Sequence, residues 1–560
     1  MLLLAACTHA PVEPSTPPPE PAGVRLQTLP IPGPAAFVDI ARDVLDAIGE
    51  VDPSLLAAAG LVDDAVRVPH LDDVHRTASI ERLDRDLAAL RALPWRDWDV
   101  HTQVDVRWLY AVAETTRHTL ADEATHTHRP AQWLEPVSNS LIAFASDVPD
   151  RVELQDQVLA LVPAMLDEMR AVCVAPTARD LAIAIPTAEA IAAMADLRGA
   201  TEVSDAVRTY VAELEATTPD RDFAVIGQEA YAWRLRHQLL LPWTPEELVA
   251  RADAAQAEVE AALADLPPRQ RPPPATDEQR AAAEALDREG FLALYQGMAE
   301  ANREATLAGG WVTIPEGVGP IRVRETPDAI AAISGDGGSM NPPPAVGSSN
   351  VGWWNVEHFA SLATPEDRLG TVTLVGDFRR NGLGPYAAHE GIPGHHLQLS
   401  VARLNPDPLR SILQDGVTCE GWGLYVEEVF WEHGGLGDDP LAHTNVLHAN
   451  RGRILRVKTD VMVETGQWTL EQAAAFRRGN PEAEVDEEVL RAVNWPTQLV
   501  TYFAGKTLIR DLRAEVEAKR GDAFDERAFH DELLAAGTIP VALIRAEMLG
   551  QPVPDLGDVD

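Results

Sequence analysis

His389-Glu390-Gly391-Ile392-Pro393-Gly394-His395-His396-Leu397-Gln398 places a carboxylate directly after one imidazole and two further imidazoles a few residues on. A zinc ion takes neutral imidazoles and carboxylates as ligands, and a further carboxylate beside its open position can activate a water. The common short arrangement, H-E-x-x-H, does this on a regular helix, where residues four apart share a face. Here His395 stands six residues after His389. At about 100° and about 1.5 Å per residue it lies roughly 120° off the His389 face and about 9 Å along the axis. His396 returns to that face, but about 10.5 Å along. Neither shares one ion with His389 on an unbroken α-helix.

The stretch carries its own break. Pro393 has no N–H, so the carbonyl of His389 loses its helical partner. Ile392, before a proline, is pushed out of the α region, and Gly391 and Gly394 permit dihedrals other residues avoid. A bulge or loop over 391–394 is expected, folding the second histidine back to the first. The alternative is that Pro-Gly merely ends a helix and leaves the histidines on the surface.

A third ligand is offered by Glu420 in Gly416-Val417-Thr418-Cys419-Glu420-Gly421-Trp422-Gly423-Leu424-Tyr425, twenty-five residues after His395. Zinc sites of the two-histidine, one-glutamate kind are well suited to hydrolysis. Read this way, 389–404 is one helix, Asn405-Pro406-Asp407-Pro408 a turn, and the next helix carries Glu420 and continues through Tyr425 and Glu428.

These segments, with Phe529-His530-Asp531-Glu532-Leu533-Leu534-Ala535-Ala536-Gly537-Thr538-Ile539-Pro540, resemble the bacterial family catalogued as domain of unknown function 885. That family is similar to the helical zinc peptidases that include thimet oligopeptidase, angiotensin-converting enzyme and the thermostable carboxypeptidases. The resemblance covers most of the chain and is specific from about 350 onward. It implies a mainly α, large helical zinc-peptidase-like fold with a small β element beside the metal helix. It favours His395, which follows a glycine, over His396 as second ligand. Family members commonly carry histidine where this chain has Glu464, so the chain departs from them there. Asn494-Trp495-Pro496-Thr497-Gln498-Leu499-Val500-Thr501-Tyr502 resembles a family segment that ends in a tyrosine, and Tyr502, with Gln498 as a weaker contact, is the expected donor to a developing oxyanion.

With 560 residues, two helical subdomains or one large bundle are feasible. The net charge of −41 argues against nucleic acid and against direct binding to anionic lipid headgroups. No run of about 18 apolar residues suggests a transmembrane helix. Leu4-Ala5-Ala6-Cys7 matches a lipoprotein-processing pattern, followed by a proline-rich tether from Pro11 to Gly23. The apolar run before Cys7 is short for a signal peptide, so the reading is a clipped lipoprotein signal, a chance match being the alternative. On the first reading the protein belongs to the cell envelope, periplasmic or outer-surface, touching a membrane only through an N-terminal lipid; on the second it is cytoplasmic. Cys173 and Cys419 make no disulfide framework, and Cys419 reads as a small buried residue on the ligand helix.

The expected organisation is a leader and tether over 1–25, an N-terminal helical subdomain over 26–310 and a metal-site catalytic subdomain over 311–560. Ala36–Gly49, Ile80–Leu93, Val104–Ala121, Val152–Cys173 and Ala188–Leu197 show apolar residues at helical spacing. Thr244-Pro245-Glu246-Glu247 starts a helix to about Leu266, and Pro267–Pro274 is a linker. Trp95, Trp98 and Trp108 read as core. Gly335–Asn350 is Gly-, Pro- and Ser-rich, an ordered loop near the site or a lid. Thr371-Val372-Thr373-Leu374-Val375 is the best strand candidate; the resemblance to the zinc peptidases, in which an edge strand before the metal helix pairs with substrate, implies that role for it, an interior strand being the equal alternative. In the helix over 445–464, Arg451, Arg453, Arg456 and Lys458 either hold a substrate carboxylate or form a solvated face paired with acids.

The function expected is a zinc-dependent metallopeptidase cleaving short peptides. Zn2+ is held by His389, His395 and Glu420, Glu390 acts as general base, Tyr502 assists at the oxyanion, and His396 hydrogen-bonds the ligand shell or the substrate. Two alternatives stand beside it: a metal hydrolase of non-peptide amides or esters, and a non-catalytic envelope lipoprotein with a vestigial site.

Overall fold

The computed structural model describes residues 24–147, 152–219, 221–267, 274–328, 330, 331, 338–347 and 349–557. The lipoprotein pattern at Cys7, the tether and most of the 267–274 linker lie outside the described residues, as does part of the 335–350 loop. The fold is mainly α. The N-terminal periodicities become Ala35–Val51, Asp73–Ala92, Val100–His118, Glu153–Val172 and Ala178–Leu197. The helix Pro245–Asp265 starts where its cap sequence places it: the Thr244 hydroxyl accepts from the Glu247 N–H while the Glu247 carboxylate accepts from the Thr244 N–H. No helix among the described residues is long and apolar enough to cross a membrane.

One apolar core runs from Leu26 to Val553, taking in Trp95, Trp108, Trp354 and Trp422. Trp98 is partly buried against it, 6.4 Å from the Phe37 ring. Two smaller clusters flank it, one around Tyr231, Trp243, Ile454 and Phe503, the other around Val463, Leu470 and Val489. The chain's C-terminal segment is laced onto the N-terminal helices, since Arg96 donates to the carbonyl of Val553 and pairs with Asp555.

The strand expected at Thr371–Val375 is a helix, Pro365–Gly376. The β-branched run is overridden by a start signal upstream: the Thr364 hydroxyl and the Asp367 carboxylate each accept the other's backbone N–H, with Pro365 at the first position. Thr371, Val372 and Val375 then fall on one buried helical face, and the Thr371 hydroxyl bonds back to the Asp367 carbonyl. The β element beside the helix that carries His389 is instead, among the described residues, a three-stranded sheet of β1 (Ile321–Glu325), β2 (Ser339–Asn341) and β3 (Gly352–Val356), in the order β1-β3-β2. β1 runs parallel to β3 and β2 antiparallel to it, so β3 is central and β2 is an edge.

Candidate metal centre

The expected single helix over 389–404 is two helices, Leu383–Glu390 and His395–Ala402, joined by the predicted break. Gly391 N–H makes the last bond of the first helix, to the Ala387 carbonyl. The second helix starts pressed onto the end of the first. A Cβ on Gly394 would stand 1.8 Å from the His389 carbonyl oxygen, which only glycine avoids. The indole N–H of Trp422 donates to the Pro393 carbonyl at 3.0 Å, pinning the turn to the helix Gly416–Glu432, and the Gln398 amide donates to the Thr418 carbonyl on the same helix at 3.0 Å.

The break does what the sequence required of it. The rings of His389 and His395 come within 4.6 Å, nearly perpendicular at 83°. Glu420 Oε2 lies 3.3 Å from His389 Nε2 and 3.5 Å from His395 Nε2. One ligand atom from each of the three lies within 4.8 Å of the other two. A tetrahedral zinc with bonds of about 2.0–2.1 Å holds its ligand atoms about 3.4 Å apart, so the donor set and its spacing fit that ion. The Nδ1 of His395 has no hydrogen-bond partner among the described residues.

Behind His389 stands Glu427, which sequence reasoning did not select. Its Oε1 meets His389 Nδ1 at 2.9 Å, fixing the ring so that Nε2 faces the cluster. Glu427 is 1% exposed, and the Arg453 guanidinium approaches the same oxygen at 3.4 Å. A signal for it was present: Glu427 follows Glu420 by seven residues, two helical turns, and so shares its face. The charges settle accordingly. Burial alone would lower the pKa of His389, but the Glu420 and Glu427 carboxylates push it up to about 9. Burial opposes the charge on Glu420 too, yet the two imidazoles hold its carboxyl well below the usual range. Burial likewise works against Glu427, and Arg453 and His389 keep it low.

The cluster lies deep but open on one side. The His389 side chain is 3% exposed, whereas His395, Glu420 and Arg453 keep 14%, 21% and 20% of theirs. Glu390 ends the first helix half-buried, and its carboxylate has no hydrogen-bond or ion-pair partner among the described residues. Tyr502 reaches the site on the helix Thr501–Arg520, which crosses Gly416–Glu432 at a glycine pair: a Cβ on Gly505 would stand 1.9 Å from the Val417 carbonyl and 2.6 Å from the Gly421 Cα. Its ring lies 6.1 Å from the His389 ring at 23°, and its oxygen accepts from Arg491 at 3.0 Å. Burial, then the Glu420 carboxylate, push the phenol up, so it stays protonated. The Gln498 side chain also hydrogen-bonds that phenol, and the Arg456 guanidinium lies over its ring.

His396 points away from the cluster. It is fully buried, its Nε2 donates to the Gly319 carbonyl at 2.9 Å, and its Nδ1 packs where a Cβ on Gly352 would stand, so it ties the helix to the sheet. Of the basic run from Arg451 to Lys458, Arg451 pairs with Glu260 and Lys458 with Asp253; Arg456 pairs with Glu488 and lies over the Tyr502 ring at 4.7 Å, and Arg453 reaches Glu427 behind His389. Burial first, then Asp415 and Glu420, hold the Cys419 thiol protonated. Glu464 sits elsewhere, beside Asp460, accepting from the Ile226 N–H at 3.2 Å.

Two imidazoles and a glutamate, backed by a buried carboxylate and opening to one side within a helical frame, define the class: a mainly helical protein with a preformed two-histidine, one-glutamate cluster. The chain belongs to the family described as "Bacterial protein of unknown function (DUF885)", whose pattern it matches over residues 53–548. Its fold is similar to that of a proposed lipoprotein of unknown function from Shewanella oneidensis, at 18% identity and a TM-score of 0.72, covering 92% of this chain and 100% of the other. A proposed lipoprotein from Colwellia psychrerythraea superposes with a TM-score of 0.66, also at 18% identity, over 92% of this chain and 99% of its own. Among curated proteins none matches the chain.

Proposed function

We propose that this chain is a zinc-dependent hydrolase of the cell envelope that cleaves short peptides. The observation that carries the reading is the convergence of His389, His395 and Glu420 within 4.8 Å, with the unpartnered Glu390 directly after the first ligand. Zinc held by these three would supply a polarised water and positive charge for a substrate carbonyl oxygen. Glu390 removes a proton from the attacking water and delivers it to the leaving amine. Tyr502, whose oxygen is already supplied with a hydrogen bond by Arg491, has its own O–H left to donate to the carbonyl oxygen as negative charge gathers there. Glu427 holds the His389 ring in the required tautomer.

The edge strand favours a peptide. The Tyr386 hydroxyl, on the helix that carries His389, donates to the Gly338 carbonyl at the start of β2. The start of β2, an edge strand among the described residues, therefore lies beside the helix that carries His389, where an extended backbone could add as a further strand. The Leu4-Ala5-Ala6-Cys7 pattern, together with the description of both similar structures as proposed lipoproteins, supports the envelope.

The test combines metal analysis with digestion of a peptide library, with and without chelator, alongside a panel of simple esters and amides. Wild-type protein is expected to carry zinc and to cut peptides only without chelator. Glu390→Gln should keep the metal and lose about 10²- to 10⁴-fold in turnover. Full activity in that variant would remove Glu390 as the base. Ester or amide turnover without peptide cleavage would move the substrate class, and metal-free protein with no turnover would leave a binding protein.

A further inference from the structure

We propose a second transition-metal site, at the surface, formed by His70, His75 and Glu168. The three offer one ligand atom each, all within 4.8 Å of one another. None of the elements involved carries the central cluster: His70 lies in the segment before the helix Asp73–Ala92, His75 in that helix's first turn, and Glu168 on the helix Glu153–Val172. His70 Nδ1 already meets the Glu168 carboxylate, at 2.8 and 3.1 Å, and the two imidazole rings lie 5.0 Å apart, inclined at 33°.

What separates this group from an ordinary surface ion pair is how His75 is held. One oxygen of Asp72 caps the helix, accepting from the N–H groups of Val74 and His75 at 2.8 and 3.0 Å. Its other oxygen takes His75 Nδ1 at 2.6 Å. A carboxylate on one ring nitrogen fixes the tautomer and leaves the other nitrogen's lone pair available, the arrangement that orients metal-bound histidines. The cap thus fixes the ring as well as the backbone. Glu168 and Glu50 add negative potential at the same place. Two imidazoles and one carboxylate, with solvent to fill the remaining positions, suit a borderline ion such as zinc, nickel or copper rather than magnesium or calcium, which prefer oxygen alone. An ion here ties the Asp73–Ala92 helix to Glu153–Val172, replacing a solvent-exposed ion pair with coordinate bonds.

Zinc alone is the probe. The full chain, stripped with chelator and returned to chelator-free buffer, is titrated with zinc by calorimetry. Two ions per wild-type chain are expected. His75→Ala should lose one or weaken it at least about tenfold, and so should Glu168→Gln; His389→Ala loses the other, and the double variant His75→Ala/His389→Ala loses both. Backbone capping by Asp72 survives in His75→Ala, and His75→Gln with circular dichroism serves as a second variant to separate loss of zinc from loss of fold. A His75 variant that binds zinc with wild-type stoichiometry and affinities overturns the proposal. A single ion that depends on His389 but not on His75 also overturns it, leaving the central site standing. A single ion that depends only on His75 supports it and removes the central one.

Discussion

At the scale of single residues the centre is arranged around which imidazole nitrogen faces the cluster. Glu427 decides this for His389, so Glu427→Gln is expected to weaken zinc about 10- to 100-fold without altering the fold, checked by competition with a chromophoric chelator and by circular dichroism. A second expectation concerns protons. Held between two carboxylates, the metal-free His389 has its pKa pushed up to about 9 and is protonated at neutral pH. A ligand nitrogen must be neutral, so zinc has to expel that proton: apparent affinity should rise as pH rises toward about 9 and level off above. Calorimetry at neutral pH in buffers of different ionisation enthalpy should register about one proton released per ion at this centre; none released would contradict the charge assignment. The two histidines of the cluster were legible because their types and the glycine-proline break stand together in ten residues. Glu427 was not, although it repeats the Glu420 face, because an acid seven residues from a ligand is indistinguishable in sequence from an acid paired at the surface. The basic run from Arg451 to Lys458 had the same ambiguity, and only packing shows that Arg453 and Arg456 turn inward while Arg451 and Lys458 pair with surface acids.

At the scale of elements, His389, His395 and Glu420 come from three helices and Tyr502 from a fourth, and glycines set how closely they pack. The crossing of Gly416–Glu432 and Thr501–Arg520 is close because Gly505 and Gly421 bring the backbones together, and this is what carries Tyr502 to His389. Gly505→Ala should force the helices apart, costing about 1–3 kcal/mol by the usual penalty for overpacking and lowering the calorimetric melting point, with turnover falling more than zinc content as Tyr502 moves off. The break over 391–394 could be derived from Pro393 and the glycines on either side of it. The strand at Thr371–Val375 could not be judged from its own composition, because β-branched residues fit a pleated surface and a buried helical face alike; the Thr364–Asp367 cap upstream decided it. The central strand, Gly352–Val356, mixes the strand formers Trp353, Trp354 and Val356 with a glycine and an asparagine, too short and broken a signal to stand out from its Gly- and Ser-rich flank.

For the whole molecule, stability should depend on pH through groups outside the cluster. Burial, then Asp460, push Glu464 up to about 8, and burial pushes Asp460 up to about 7. Folded protein therefore binds more protons here than the unfolded chain, so stability is present below the ordinary carboxylate range and is lost as pH rises through about 7 to 8. Glu464→Gln removes one of these ionisations. Its stability relative to wild type, from urea melts at about pH 5 and about pH 9, should be higher at the alkaline end; the opposite trend would refute the burial argument. The mainly helical architecture was readable from amphipathic periodicity, whereas the single core joining Leu26 to Val553 was not, since contacts between distant segments leave no local trace. The one-sided opening of the central cluster bears on how fast an ion exchanges. His389 is walled in by Glu427 and Tyr502, while His395 and Glu420 front the solvent. A sequestering agent can reach a seated cation only through that front, so its removal should follow the swing of two side chains, with His389 the last to let go.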